Sequence, residues 1–148
     1  MPTEERLNIA IADTESQIVK ADSKAASVLT FDGLLVAGAS LMSSGNDVST
    51  LATVLAVITG LLIVISASLS LSVIRPRLTG GDKQSFVHWS TLESGDAVEE
   101  SLTNTPAKTE RILILSRIAF RKMCLLQKAI DTSLGAVIAL LLTIATSL

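Results

Sequence analysis

Three long apolar stretches dominate the pattern of hydrophobic and polar positions along the chain. Residues 51–74 contain no charged residue, and about 20 apolar residues are enough for a helix to cross the hydrocarbon core of a membrane. Residues 25–42 are apolar apart from Asp32 and three hydroxyl residues, and residues 132–148 form a third apolar stretch. The pattern predicts three transmembrane helices. A buried helix of a soluble protein is the alternative for each, and it is weakest for 51–74.

The positive charges are distributed unevenly around these stretches. All 12 Lys and Arg residues lie before residue 25 or between Arg75 and Lys128, and residues 43–50 contain none. Cytoplasmic loops of membrane proteins carry an excess of Lys and Arg. The chain is therefore predicted to cross the membrane three times, with its N-terminus inside and its C-terminus outside. Its predicted cytoplasmic parts are residues 1–24 and 75–131.

The N-terminal part is predicted to be a helix that continues into the first crossing. In residues 4–24 the apolar positions Leu7, Ile11 and Ile18 recur at spacings of four and seven, which places them on one helix face. No Pro or Gly interrupts residues 3–32. The helix is therefore expected to run from the cytoplasm into the membrane without a break.

A second helix is predicted from Ala107 through Asp131 into the third crossing. One of its faces carries the basic residues Arg117, Arg121 and Lys128, at spacings of four and seven. An apolar face lies beside it, formed by Ile112, Leu115, Ala119, Leu126 and Ala129. The expected fold is therefore an all-α membrane protein of one domain, residues 1–148, with two of its three transmembrane helices extended into the cytoplasm.

The composition narrows the function classes. The formal net charge is −2, which gives no reason to expect a nucleic acid polymer as partner. Cys124 is the only cysteine and His88 the only histidine, so neither an internal disulfide nor a cysteine-based metal cluster is possible. No nucleophile–base pair is visible in the sequence. We therefore expect neither an enzyme nor a metal site.

Polar motifs at the borders of the apolar stretches resemble those of a known family. ADSKAASVLTFDGLLVAG, residues 21–38, resembles the D-[ST]-K-A motif that opens the first transmembrane helix of the Pycsar-type transmembrane effectors. LSVIRPRL, residues 71–78, resembles the R-P-R motif that closes their second transmembrane helix, and SFVHW, residues 85–89, is similar to the aromatic segment that follows. SRIAFRKMCLLQKAI, residues 116–130, resembles the R-K motif of the helix that leads to their last apolar segment. The resemblance covers roughly residues 12–145.

The resemblance implies a role in bacterial antiphage defence. In that family a partner cyclase senses phage and makes cyclic UMP or cyclic CMP, and the effector responds by oligomerising and impairing the inner membrane, which leads to abortive infection. The implied location is the bacterial inner membrane, with the lipid bilayer and further copies of the chain as partners. The sequence contains no separate cyclic-nucleotide-binding domain, so such a ligand is expected to bind the short cytoplasmic part.

A cyclic nucleotide presents an anionic phosphate and an aromatic base. Arg and Lys side chains bind phosphate, and aromatic side chains stack on bases. The candidate ligand-binding residues are Asp22, Lys24, Arg75, Arg77, Phe86, Trp89, Arg121 and Lys122. The alternative is structural: cations that reach the headgroups, Trp89 as an interfacial anchor, and ion pairs between helices such as Asp22 with Arg121.

Asp32 is a separate candidate because it lies within the first apolar stretch. An ionisable residue inside a membrane is by default a functional hypothesis, and the alternative is that it only fixes helix packing. It stands where the family motif usually has a neutral polar residue. Two other functions stay open: a holin-like or channel-forming protein without nucleotide gating, in which Asp32 and the Ser and Thr residues of 51–74 line a lumen, and a structural membrane partner.

Overall fold

The computed structural model describes residues 3–42, 49–75 and 108–147. Each of these parts is helical, and the described residues contain no strand, so the all-α prediction is confirmed. The helices are α1 (Thr3–Met42), α2 (Thr50–Ile74) and α3 (Lys108–Ser147).

Helices α1 and α3 are both longer than a membrane requires. Each has 40 residues, which corresponds to about 60 Å at 1.5 Å per residue, against a hydrocarbon core of about 30 Å. Neither helix is interrupted. The first and the third apolar stretch were each predicted to continue, without a break, from a polar helical segment on the N-terminal side. This prediction is confirmed for α1 and for α3.

Local signals fix both ends of α2. At its start Ser49 is the N-cap, and its hydroxyl accepts a hydrogen bond from the backbone N–H of Ala52 at 3.2 Å. At its end the N–H of Arg75 donates to the carbonyl of Leu71 at 2.9 Å. The next residue in the sequence is Pro76, which disfavours the helical conformation for the residue before it. The helix therefore ends where the proline predicts.

Two helices of the described part are long and apolar enough to cross a membrane. They are α2 and the segment Lys108–Thr146 of α3, which contains most of the third predicted crossing. Helix α1, which contains the predicted crossing 25–42, is not one of the two. The crossing by residues 25–42, and with it the total of three crossings, stays a prediction, as do the N-in/C-out orientation and the single-domain organisation.

The three helices pack against one another, with α1 parallel to α3 and α2 antiparallel to both. Between α1 and α3 the contacts advance together along both chains, from Glu4 with Lys108 to Asp32 with Ser133. Between α2 and α3 they run in opposite directions, because Ser66 hydrogen-bonds to Ala129 while the earlier Leu62 lies beside the later Gly135. The chain therefore returns through α2 and places the N-terminal halves of α1 and α3 side by side.

Small and polar side chains fill the interior of this arrangement. Ala21, Ala25 and Val73 are fully buried and form a cluster with Leu126. Large apolar side chains point outward instead, among them Leu34, Leu61, Val64, Leu134 and Leu141. This distribution suits a helical bundle surrounded by lipid, in which small residues bring the helices together and large apolar residues face the acyl chains.

The position where α2 ends divides the molecule into two regions. Val73, in the last turn of α2, packs at the level of Ala21 and Leu126. Among the described residues, those that continue beyond that level are 3–20 of α1 and 108–121 of α3, and we call this part the two-helix region. It extends for about 25 Å. The remainder of the three helices forms the three-helix region.

A candidate ligand site where α2 ends

An ion pair between α1 and α3 marks the junction of the two regions. The ammonium group of Lys122 lies 2.5 Å from Oδ1 of Asp22, and it donates a hydrogen bond to that oxygen. The side chains are 17% and 36% exposed, so the pair is only partly open to water. Ala21 and Ala25, on either side of Asp22 along α1, are fully buried. Their small side chains let the backbones of α1 and α3 approach closely enough for Asp22 and Lys122 to form the ion pair.

Three further cations lie at about the same level along the helices as this ion pair. Lys24 follows Asp22 on α1, Arg121 precedes Lys122 on α3, and Arg75 ends α2. All three side chains are exposed, and none forms an ion pair with a described residue. Among these described residues of the junction, the positive charges therefore outnumber the negative ones. Such a surface attracts small anions, and Arg and Lys form strong charge-assisted hydrogen bonds with phosphate.

Of the five candidate ligand residues that the structure describes, two are in contact. Asp22 pairs with Lys122, and not with Arg121, which was the ion pair suggested by the structural alternative. The reason is rotational: neighbouring helix residues are about 100° apart, and Arg121 lies on the exposed face of α3 while Lys122 is turned toward α1. Three of the candidates, Arg77, Phe86 and Trp89, lie outside the described residues.

Two other ion pairs, which the sequence analysis missed, join α1 to α3 in the two-helix region. Arg111 donates to Glu15 at 2.9 Å, and Lys108 lies 3.5 Å from Glu4. In each pair the acid is on α1 and the base is on α3. The early part of α1 is rich in acids and the early part of α3 is rich in bases. This complementary charge was the feature of the sequence that could have predicted ion pairs between the two helices. The described residues contain no group of three or more His, Cys, Asp or Glu that could hold a metal ion.

Asp32 lies in the three-helix region, away from the junction. It is 10 residues beyond Asp22 on α1, or about 15 Å along the helix axis. The residue is 2% exposed, and the hydroxyl of Ser133 donates to its Oδ1 at 2.7 Å. The sequence analysis singled out Asp32 but missed Ser133, because nothing in the sequence alone sets the register of α1 against α3.

The fold and the charged junction define a class: a helical bundle with apolar helices long enough to cross a membrane and a charged two-helix extension. The family model for the Pycsar effector protein domain matches residues 6–148. The chain therefore belongs to the Pycsar effector family. No curated protein and no solved structure matches the chain significantly.

Membership in this family confirms the resemblance seen in the sequence motifs. Together with the two apolar helices it indicates a membrane protein, and it supports a role as an antiphage-defence effector. The family is one of effectors and is not a known enzyme family.

Proposed function

We propose that this protein is an inner-membrane effector that binds a cyclic pyrimidine nucleotide, cyclic UMP or cyclic CMP, at the junction of its two regions. A partner cyclase supplies the nucleotide during phage infection. Binding leads the chain to oligomerise and impair the membrane, which ends in abortive infection. Family membership supports the general role, and the charge distribution around Asp22 and Lys122 supports the placement of the site.

The observation that carries the proposal is the Asp22–Lys122 ion pair. Lys122 is the least exposed charged partner of the three ion pairs described. Among the described residues, its only anionic partner is the carboxylate of Asp22. The cyclic phosphate of the ligand carries one negative charge and is an alternative partner for that ammonium group. Lys24, Arg75 and Arg121 add positive charge around it without having to give up an ion pair.

The base of the nucleotide needs an apolar or aromatic surface. Phe86 and Trp89 follow α2 in the sequence, and we assign the stacking role to them and a further phosphate contact to Arg77. These assignments rest on the sequence motifs, since the three residues lie outside the described part of the chain.

Ligand binding at the junction would act on the pairing of α1 and α3, because Asp22 and Lys122 belong to these two helices. The lipid-facing surface of the three-helix region offers places where another copy can pack closely. A Cβ atom added at Gly33, Gly38 or Gly60 would meet no atom within 4 Å. Small residues on an exposed helix surface allow close helix–helix approach in lipid, which supports oligomerisation as the response.

Thermal unfolding of the detergent-purified protein tests the proposed ligand. The panel contains cyclic UMP, cyclic CMP, cyclic AMP, cyclic GMP and a cyclic dinucleotide. A ligand that binds only the folded state stabilises it by about 2.7 kcal/mol at a hundred times its Kd. We expect a rise in melting temperature with a cyclic pyrimidine mononucleotide, and its loss in Lys122→Met and Arg121→Ala.

Lys108→Met is the matched control, because Lys108 also pairs with an α1 carboxylate but lies at the far end of the two-helix region. It should keep the full response. A response that is lost equally in Lys108→Met and Lys122→Met would argue against a site at the junction. A flat response of the unmodified protein to the whole panel would contradict nucleotide binding by this chain and favour the holin-like alternative.

A further inference from the structure

The carboxyl group of Asp32 is only half satisfied inside the three-helix region. The residue is 2% exposed. Its Oδ1 accepts a hydrogen bond from the Ser133 hydroxyl at 2.7 Å, but its Oδ2 is buried and has no hydrogen-bond partner among the described residues. Buried polar atoms without partners are rare in folded proteins, and each one calls for an explanation such as a bound water or ion.

The charge of this carboxyl group is not compensated either. The neighbouring ionisable residues on the helices packed around it are Lys24 on α1 and Lys128 and Asp131 on α3, and all three are exposed. The helix segment of α2, Thr50–Ile74, contains no ionisable side chain. Ser133 contributes only a neutral hydroxyl. An anion in this position is costly unless a positive charge accompanies it.

Two candidate partners of Oδ2 differ in what they supply. A trapped water would supply a hydrogen bond but no charge. A cation supplies both a contact to the oxygen and the missing charge. Ser70 has the other buried hydroxyl without a partner among the described residues, but a neutral hydroxyl requires no compensating charge. Asp32 is therefore the position where the structure points to a cation.

We propose that Asp32, with Ser133 beside it, is a binding site for one sodium ion in the three-helix region. The bound cation neutralises the carboxyl group and holds α1 against α3. Without the cation, the buried charge opposes this packing and favours separation of the two helices. This site is about 15 Å from the proposed nucleotide site and does not depend on it.

The test compares thermal unfolding of the unmodified protein with that of Asp32→Asn in detergent. Asparagine keeps an oxygen that can accept from Ser133 but carries no charge. Asp13→Asn is the control, since Asp13 is an exposed acid on the same helix. Choline chloride is replaced stepwise by sodium chloride at constant ionic strength and pH 8.

The melting temperature of the unmodified protein should rise by about 3 °C for each tenfold increase in sodium concentration, once this concentration exceeds the Kd. Asp13→Asn should keep this response and Asp32→Asn should lose it. If Asp32→Asn does not fold, Asp32→Ser, which is also neutral and polar, takes its place.

Equal responses of the unmodified protein and the Asp32 variant to sodium would overturn the proposal. The same holds if the unmodified protein does not respond to sodium. Either result would leave a trapped water as the partner of Oδ2 and would give Asp32 a packing role only.

Discussion

The three-helix region and the two-helix region hold the same two helices together by different means. In the three-helix region the contacts are small side chains such as Ala25 and Ala129, and hydroxyl groups that hydrogen-bond across helices, as Ser66 does to the carbonyl of Ala129 at 3.1 Å. In the two-helix region α1 and α3 are joined by exposed ion pairs such as Glu15 with Arg111.

The difference reflects the surroundings of each region. Lipid is as apolar as a leucine side chain, so helices in it associate through close packing and buried hydrogen bonds. In water, exposed ion pairs contribute little and are screened by salt. We therefore expect the contacts of the three-helix region to be the more stable ones, and the ion pairs of the two-helix region to be the ones that the proposed anionic ligand changes. The Asp22–Lys122 pair lies where the two meet.

The largest expected effect comes from filling the close contact between helices in the three-helix region. Ala25 is fully buried and its neighbour Ala26 is exposed. Ala25→Leu should lower the free energy of unfolding by about 1–3 kcal/mol, because the added atoms force the helices apart. Ala26→Leu should leave it nearly unchanged. Thermal unfolding in detergent measures both, and equal effects would show that the contact at Ala25 is not tight.

A smaller effect is expected from the cross-helix hydrogen bond of Ser66. Ser66→Ala removes the donor to the carbonyl of Ala129 and should cost about 1 kcal/mol. Ser68 is the matched control, since it is exposed and bonds only to its own helix, at the carbonyl of Val64. Ser68→Ala should have little effect on the same unfolding transition. If both variants behave alike, Ser66 does not contribute to helix association.

The ion pair at the junction should contribute still less, and its contribution should depend on salt. A double-mutant cycle with Asp22→Asn and Lys122→Met should give a coupling energy of about 0.5 kcal/mol at low ionic strength. The coupling should shrink in 1 M salt, where the Debye length falls to about 3 Å. The Ser66→Ala effect should not change with salt. If the coupling energy does not change with salt, the Asp22–Lys122 pair is shielded from solvent in the same way as the buried contacts of the three-helix region.

The smallest effect is expected at the far end of the two-helix region. The side chain of Glu4 is 82% exposed in its pair with Lys108, and exposed pairs of this kind often contribute nothing measurable. Glu4→Gln should therefore leave the melting temperature unchanged at any salt concentration. A clear loss of stability would mean that the end of the two-helix region contributes to the fold as much as the junction does.

The sequence predicted the helices well because their signals are local. An uncharged run predicted α2, Pro76 predicted its end, and the absence of Pro and Gly predicted that α1 continues without interruption. The contacts between helices depend instead on the rotation and register of two 40-residue helices. A rotation of one residue decides whether Lys122 or Arg121 meets Asp22, and the register decides that Ser133 meets Asp32. Neither quantity is encoded in a local pattern.

The candidate site was predictable in its residue types but not in its geometry. The motifs pointed to cations at the helix borders, and the structure places Lys24, Arg75, Arg121 and Lys122 near the end of α2. That Lys122 is already paired, while the other three are exposed and form no ion pair with a described residue, could be learned only from the packing of α1 against α3.

The most direct test of the central claim is nucleotide-dependent leakage from vesicles. The full-length protein is reconstituted into anionic phospholipid vesicles loaded with a fluorescent dye, and dye release is followed after addition of cyclic UMP, cyclic CMP or cyclic AMP. We expect dye release with a cyclic pyrimidine nucleotide only. This release should be retained in Lys108→Met and lost in Lys122→Met. Release without any nucleotide, or release that Lys122→Met leaves unchanged, would contradict the claim that the junction controls the membrane-embedded helices.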